Sequence, residues 1–135
     1  MERTTLVAHY PVTLLYASLL GLLLVFLSIQ VLRYRVRADV KGAEAAASMS
    51  RVQGNFVEYV PMALVLMALL EWAGAPSVAL HVLGCALVLA RVLHAIGLGY
   101  VGSRNYPRML GALLTFLVLA VMGMAGLYGA LAAVR

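Results

Sequence analysis

Four long apolar stretches, separated by short polar breaks, set the pattern of this 135-residue chain. Crossing the hydrocarbon core of a bilayer takes about 20 mostly apolar residues at about 1.5 Å rise each. The stretches at roughly 11–37, 49–73, 77–101 and 107–133 satisfy that length, and each predicts a transmembrane helix. The run that begins at Val12 is too long for the apolar part of a signal peptide and others follow it, so it reads as a retained helix. Tyr10 and Pro11 open it, and Arg33, Arg35 and Arg37 fan around its end because successive helical side chains lie about 100° apart. The small, polar segment from Ala38 to Ser50 reads as a loop, partly helical or mobile, with Ser48 or Ser50 capping the second helix. Within that helix Pro61 deletes one backbone hydrogen bond and frees a carbonyl near Val57. Glu71 and Trp72 close it at the opposite interface, before the turn Gly74, Ala75, Pro76. The fourth helix carries Ala125, Gly129 and Ala133, a row of small residues suited to close helix packing.

Composition supports the same picture. With 64% hydrophobic and 11% charged residues, the chain is excluded from the soluble class and reads as one all-α domain over residues 1–135, an integral membrane four-helix bundle. The net charge of +5 does not point to nucleic acid, because the arginines flank apolar runs and there is no soluble basic surface. Arg33, Arg35, Arg37, Lys41, Arg51, Arg104 and Arg108 fall on one side of the membrane, Arg3 and Arg135 on the other. The positive-inside rule makes the crowded side cytoplasmic, with both termini outside. A single cysteine, Cys85, excludes an intrachain disulfide, and His9, His81 and His94 lack ligand spacing, so no metal site is expected.

The second helix holds the unusual chemistry. Arg51, Asn55 and Glu58 follow an i, i+4, i+7 spacing and share one face, with Gln53 nearby and Tyr59 at the edge. A carboxylate inside a bilayer costs several kcal/mol unless it is paired or faces water, which marks Glu58 as a functional-site candidate. In the third helix Arg91 and His94 are spaced i, i+3. Counting along the helices puts Arg91 about 15 Å and Glu58 about 10 Å deep from the same membrane face, so the two are expected to pair. Arg33, Arg35, Arg104 and Arg108 gather at that same end. Such a cluster suits a small, mainly anionic ligand with one cationic group: arginines hold carboxylates and Glu58 holds an ammonium. Apolar walls around it favour a lipophilic second molecule, or a lipid, arriving through the bilayer.

The segment with Arg51, Gln53, Asn55, Glu58, Tyr59 and Pro61, the later Ala90, Arg91, His94 and Gly97, and Arg108 before the fourth helix resemble the membrane-associated proteins in eicosanoid and glutathione metabolism, the MAPEG family. The chain looks like a bacterial member related to the microsomal glutathione transferases. The resemblance implies a homotrimer of four-helix protomers with glutathione, the co-substrate, bound between subunits near the cytoplasmic face. It implies that Arg51, Asn55, Glu58 and Tyr59 contact glutathione and that Arg33 or Arg35 reaches in from a neighbour. It also implies that an arginine before the fourth helix, Arg108 or else Arg104, stabilises the glutathione thiolate. Where several members carry tyrosines on the third helix, this chain has His94, Leu98 and Tyr100.

The expected activity is conjugation of the thiolate to a lipophilic electrophile, or reduction of lipid hydroperoxides, in a bacterial inner membrane. Two other functions fit a chain of this length. One is a non-catalytic scaffold of the same fold that binds lipids or thiols. The other is a small proton-coupled exporter with Glu58 as its cation site, although a cation site is poorly served by a ring of arginines.

Overall fold

The computed structural model describes residues 11–37, 39–97 and 105–134. All regular structure among them is helical: α1 (Val12–Arg35), α2 (Val40–Trp72), α3 (Ser77–Ile96) and α4 (Tyr106–Ala133). All four are long and apolar enough to span a membrane.

The second helix begins well before its apolar part. Asp39 caps it, its Oδ1 accepting from the Gly42 amide at 2.8 Å, and Ser48 and Ser50 lie inside the helix. The stretch from Ala43 to Ala47 is rich in alanine, the strongest helix former, so the polar segment expected as a loop continues the helix instead. With 33 residues, α2 is about 50 Å long, against about 30 Å of hydrocarbon. Roughly its first dozen residues therefore stand outside the bilayer. The helix runs unbroken through Pro61, which sits on an exposed face. Among the described residues α3 runs to Ile96, and residues 98–101, to which its expected span extends, lie outside them.

Helical periodicity sorts each helix into inner and outer faces. On α2 the buried positions are Gly42, Ala46, Met49, Val52, Phe56, Val60, Ala63 and Met67, a stripe at spacings of three and four. From Met49 to Met67 they meet Tyr16, Leu20, Leu27 and Val31 of α1, Leu80 and Leu87 of α3, and Val118 and Met122 of α4 in one core. Outward faces carry Leu22, Phe26, Leu113, Leu117 and other large apolar side chains, as expected where lipid or another subunit replaces water.

Two antiparallel hairpins, α1–α2 and α3–α4, make the most extensive helix pairings. The second depends on Gly111, where an added methyl group would collide with the Ala90 carbonyl oxygen and the His94 backbone nitrogen. The first is tied at the end far from its connection. There the Glu71 carboxylate accepts from the amides of Val12 and Thr13, the latter at 2.9 Å, and so satisfies donors that a helix start leaves orphaned. Glu71, expected as an interfacial residue closing α2, is thus also the cap of α1.

Candidate functional site

The period that buries Val52, Phe56 and Val60 turns Arg51 and Glu58 to the opposite side of α2. Both are exposed on the outer face of the protomer, together with Gly54 and Pro61. Among the described residues neither has a hydrogen-bonded or ion-paired partner. Asn55 and Tyr59 lie between the inner and outer faces and are half-buried. The Tyr59 ring meets Phe116 of α4 edge-on, with centroids 5.2 Å apart. Gln53 points to α1, where its Nε2 donates to Ser28 Oγ at 2.7 Å and Ser28 in turn donates to the Leu24 carbonyl at 2.8 Å.

Arg91 is turned inward. It shares a buried stripe of α3 with Leu80, Gly84, Leu87, Ala90 and His94, and is 1% exposed. Its Nη1 donates to Asn55 Oδ1 at 2.8 Å, and its guanidinium lies 5.3 Å from the centre of the Phe56 ring. Its Nε and Nη2 have no hydrogen-bond partner among the described residues. The expected Glu58–Arg91 pair is therefore not formed: depth along the helices was compatible, but the two side chains leave α2 and α3 in different directions.

His94 lies one turn further and is also buried. Its Nδ1 is 3.1 Å from the Arg108 carbonyl oxygen, which can only accept, so Nδ1 carries the proton and Nε2 is left buried without a partner among the described residues. Arg108 sits in the first turn of α4, half-buried, its amide donating to the Asn105 cap at 3.3 Å. The Asn105 side-chain amide donates to the Gly97 carbonyl, joining the end of α3 to the start of α4.

At the end of α1 the arginines diverge. Arg35 extends its Nη2 to Ser50 Oγ at a long 3.4 Å, beside Arg51, while the Arg33 Nη1 approaches Gln30 Oε1 at 3.4 Å. Arg104 lies outside the described residues. The fold thus joins Asn55, Arg91, His94 and the backbone of Arg108 at the junction of α2, α3 and α4, and leaves Arg51 and Glu58 outside it. Among the described residues no cluster of three or more His, Cys, Asp or Glu is fit to hold a metal ion.

The sequence profile of the MAPEG family matches residues 13–128. The chain belongs to the MAPEG family. Among its curated relatives is the inner membrane protein YecN of Escherichia coli K12, 40% identical over 90 residues that make up 64% of this chain and 69% of YecN. YecN of the uropathogenic strain CFT073 matches to the same degree. No solved structure matches the chain significantly. For a MAPEG protein with four spans, the inward turn of Arg91 and the outward turn of Arg51 and Glu58 define two polar regions on either side of one helix wall.

One polar group escaped sequence reasoning. Tyr16 Oη lies 2.9 Å from His81 Nδ1 and 3.1 Å from Cys85 Sγ, and it donates to the His81 carbonyl at 3.1 Å. The i, i+4 spacing of His81 and Cys85 was the available signal, but nothing in the local sequence brings Tyr16 to them.

Proposed function

We propose that this protein is a glutathione transferase of the inner membrane, active as a homotrimer with its site at the basic, cytoplasmic end of the bundle. The observation that carries this reading is the outward placement of Arg51 and Glu58. A carboxylate within the spanning part of a helix is costly, up to about 2.5–3.5 kcal/mol at its centre, and neither Glu58 nor Arg51 at the edge of that part finds a partner among the described residues. A neighbouring subunit and a zwitterionic thiol between the two would supply those partners. Arg51 would take a glutathione carboxylate and Glu58 its ammonium, with Asn55 Nδ2 and the Tyr59 hydroxyl as further donors. Arg35, directed beside Ser50 and Arg51, suits this site better than Arg33.

Arg108 is the residue proposed to hold the thiolate, with Arg104 as a second cation. A guanidinium beside a thiol of ordinary pKa about 8.5 favours its ionised form, and the ionised sulfur is the nucleophile. In conjugation a sulfur–carbon bond forms as the electrophile's leaving group departs with its electron pair. In the peroxidase variant two glutathiones reduce the O–O bond to an alcohol and water and leave as the disulfide. The apolar outer faces let a lipophilic electrophile arrive from the bilayer while the thiol arrives from water.

The test is calorimetric titration with glutathione, joined to a conjugation assay with a generic aryl halide. Wild-type protein binds and turns over. Glu58→Gln loses binding, and Arg108→Ala loses about tenfold or more in rate at neutral pH while its glutathione affinity changes less than about twofold. Equal rates for Arg108→Ala and wild type would remove Arg108 from the chemistry. Glutathione binding without turnover of any electrophile would make the protein a thiol-binding scaffold.

A further inference from the structure

Along one face of α1 the chemistry changes abruptly at Gln30. Towards the bundle middle, Leu23, Phe26 and Leu27 line an apolar groove of about 270 Å3, completed by Met49 of α2 and by Ala95 and Ile96 of α3. Towards the helix end, Arg33, Tyr34 and Arg37 line a polar cavity of about 210 Å3. Gln30 borders both, so the two cavities adjoin at this residue. Leu23, Phe26, Leu27, Gln30, Arg33 and Tyr34 follow i, i+3, i+4, i+7, i+10, i+11 spacing along one face of α1 for about 17 Å, and Arg37 follows just past the helix end. The apolar part of this face matches an acyl chain and its two guanidiniums match an anionic headgroup.

We infer that this face of α1 binds an anionic phospholipid of the adjoining leaflet, its phosphate between Arg33 and Arg37 and one acyl chain in the groove below. Charge complementarity selects this occupant. Neither arginine forms an ion pair among the described residues, and Arg33 makes just one long contact, to Gln30, on the same rim. A zwitterionic lipid would fill the groove equally well but bring a phosphate whose charge its own ammonium offsets. An anionic headgroup gains both arginines, and basic pockets at the ends of membrane helices recognise phosphate headgroups in this way. Two arginines at the membrane surface together favour an anionic over a neutral headgroup by about thirtyfold at low salt. The lipid site takes Arg33, the alternative to Arg35 in the thiol site, and leaves Arg35, Arg51, Glu58 and Arg108 to the thiol.

Native mass spectrometry of the delipidated full-length protein, titrated with phosphatidylglycerol or phosphatidylcholine of identical acyl chains, tests the assignment. The expected result is a phosphatidylglycerol preference of about tenfold or more, lost in the R33Q/R37Q double variant, and weaker binding of both lipids in A95W, which fills the groove. Equal affinity for the two lipids, or a preference that survives R33Q/R37Q, overturns it. So does a wild-type protein without lipid preference whose subunit assembly fails in A95W, which would give the face to a second copy of the chain. Glutathione titration of R33Q/R37Q separates the two sites: affinity is retained if Arg33 serves the lipid, and its loss returns Arg33 to the thiol and refutes the lipid assignment.

Discussion

Breaking the hydrogen bond between Asn55 and Arg91 should cost far more when the amide is removed than when the guanidinium is. Arg91 is 1% exposed, and Asn55 Oδ1, at 2.8 Å, is its hydrogen-bonding partner among the described residues. Asn55→Ala strips a buried cation of that acceptor, a loss of about 3 kcal/mol when both the charge-assisted bond and the uncompensated charge are counted. Arg91→Met removes the cation together with its unpartnered Nε and Nη2 and keeps an unbranched side chain against Phe56. Its stability should stay within about 1 kcal/mol of wild type, or exceed it. Asn55 is half-buried and can turn to other partners, so Asn55→Ala in the Arg91→Met background should be nearly silent. The cycle therefore predicts a coupling of about 2–3 kcal/mol, read from SDS-driven unfolding in mixed micelles. Additive effects, or an Asn55→Ala variant no weaker than Arg91→Met, would refute the claim that Arg91 is a buried cation held by this amide.

Three further outcomes follow from the packing. Gly111→Ala should push α4 away from the Ala90 carbonyl and the His94 backbone and lower stability by about 1–3 kcal/mol, seen as a reduced melting temperature in detergent. Glu71→Ala should cost about 1–2 kcal/mol and speed amide exchange at Val12 and Thr13, while Glu71→Gln, which keeps one acceptor oxygen, should lose about half of that. Asp39→Ala should reduce helicity by circular dichroism through fraying of the first turns of α2, at a cost of about 1 kcal/mol, with the spanning part intact.

Hydropathy revealed four spans because lipid imposes a length and a composition on every crossing helix. It was blind to the start of α2, since Val40 to Ser50 obeys helix propensity in water and not the bilayer. The shared face of Arg51 and Glu58 was legible from spacing alone. The failure of the Glu58–Arg91 pair shows what counting along an axis omits: it gives height but not direction around the helix. For Arg91 the direction was written in the stripe Leu80, Gly84, Leu87 and His94, which identifies the inner side of α3 without a structure. The roles of Glu71 and Tyr16 could not be read this way, because each depends on a residue at least 58 positions distant in the chain.

The Glu71 clamp carries a mechanical consequence. The chain itself joins α1 to α2 at one end, and the carboxylate fastens them at the other, so this hairpin is held at both ends and resists scissoring. Freedom to breathe then falls to the junction between the two hairpins, which is stitched at separate heights by Tyr16 to His81, Tyr59 against Phe116, and Asn55 to Arg91. Any widening of the protomer to admit a guest would unzip those stitches and leave the clamped link rigid, serving as the fixed jaw against which the other moves.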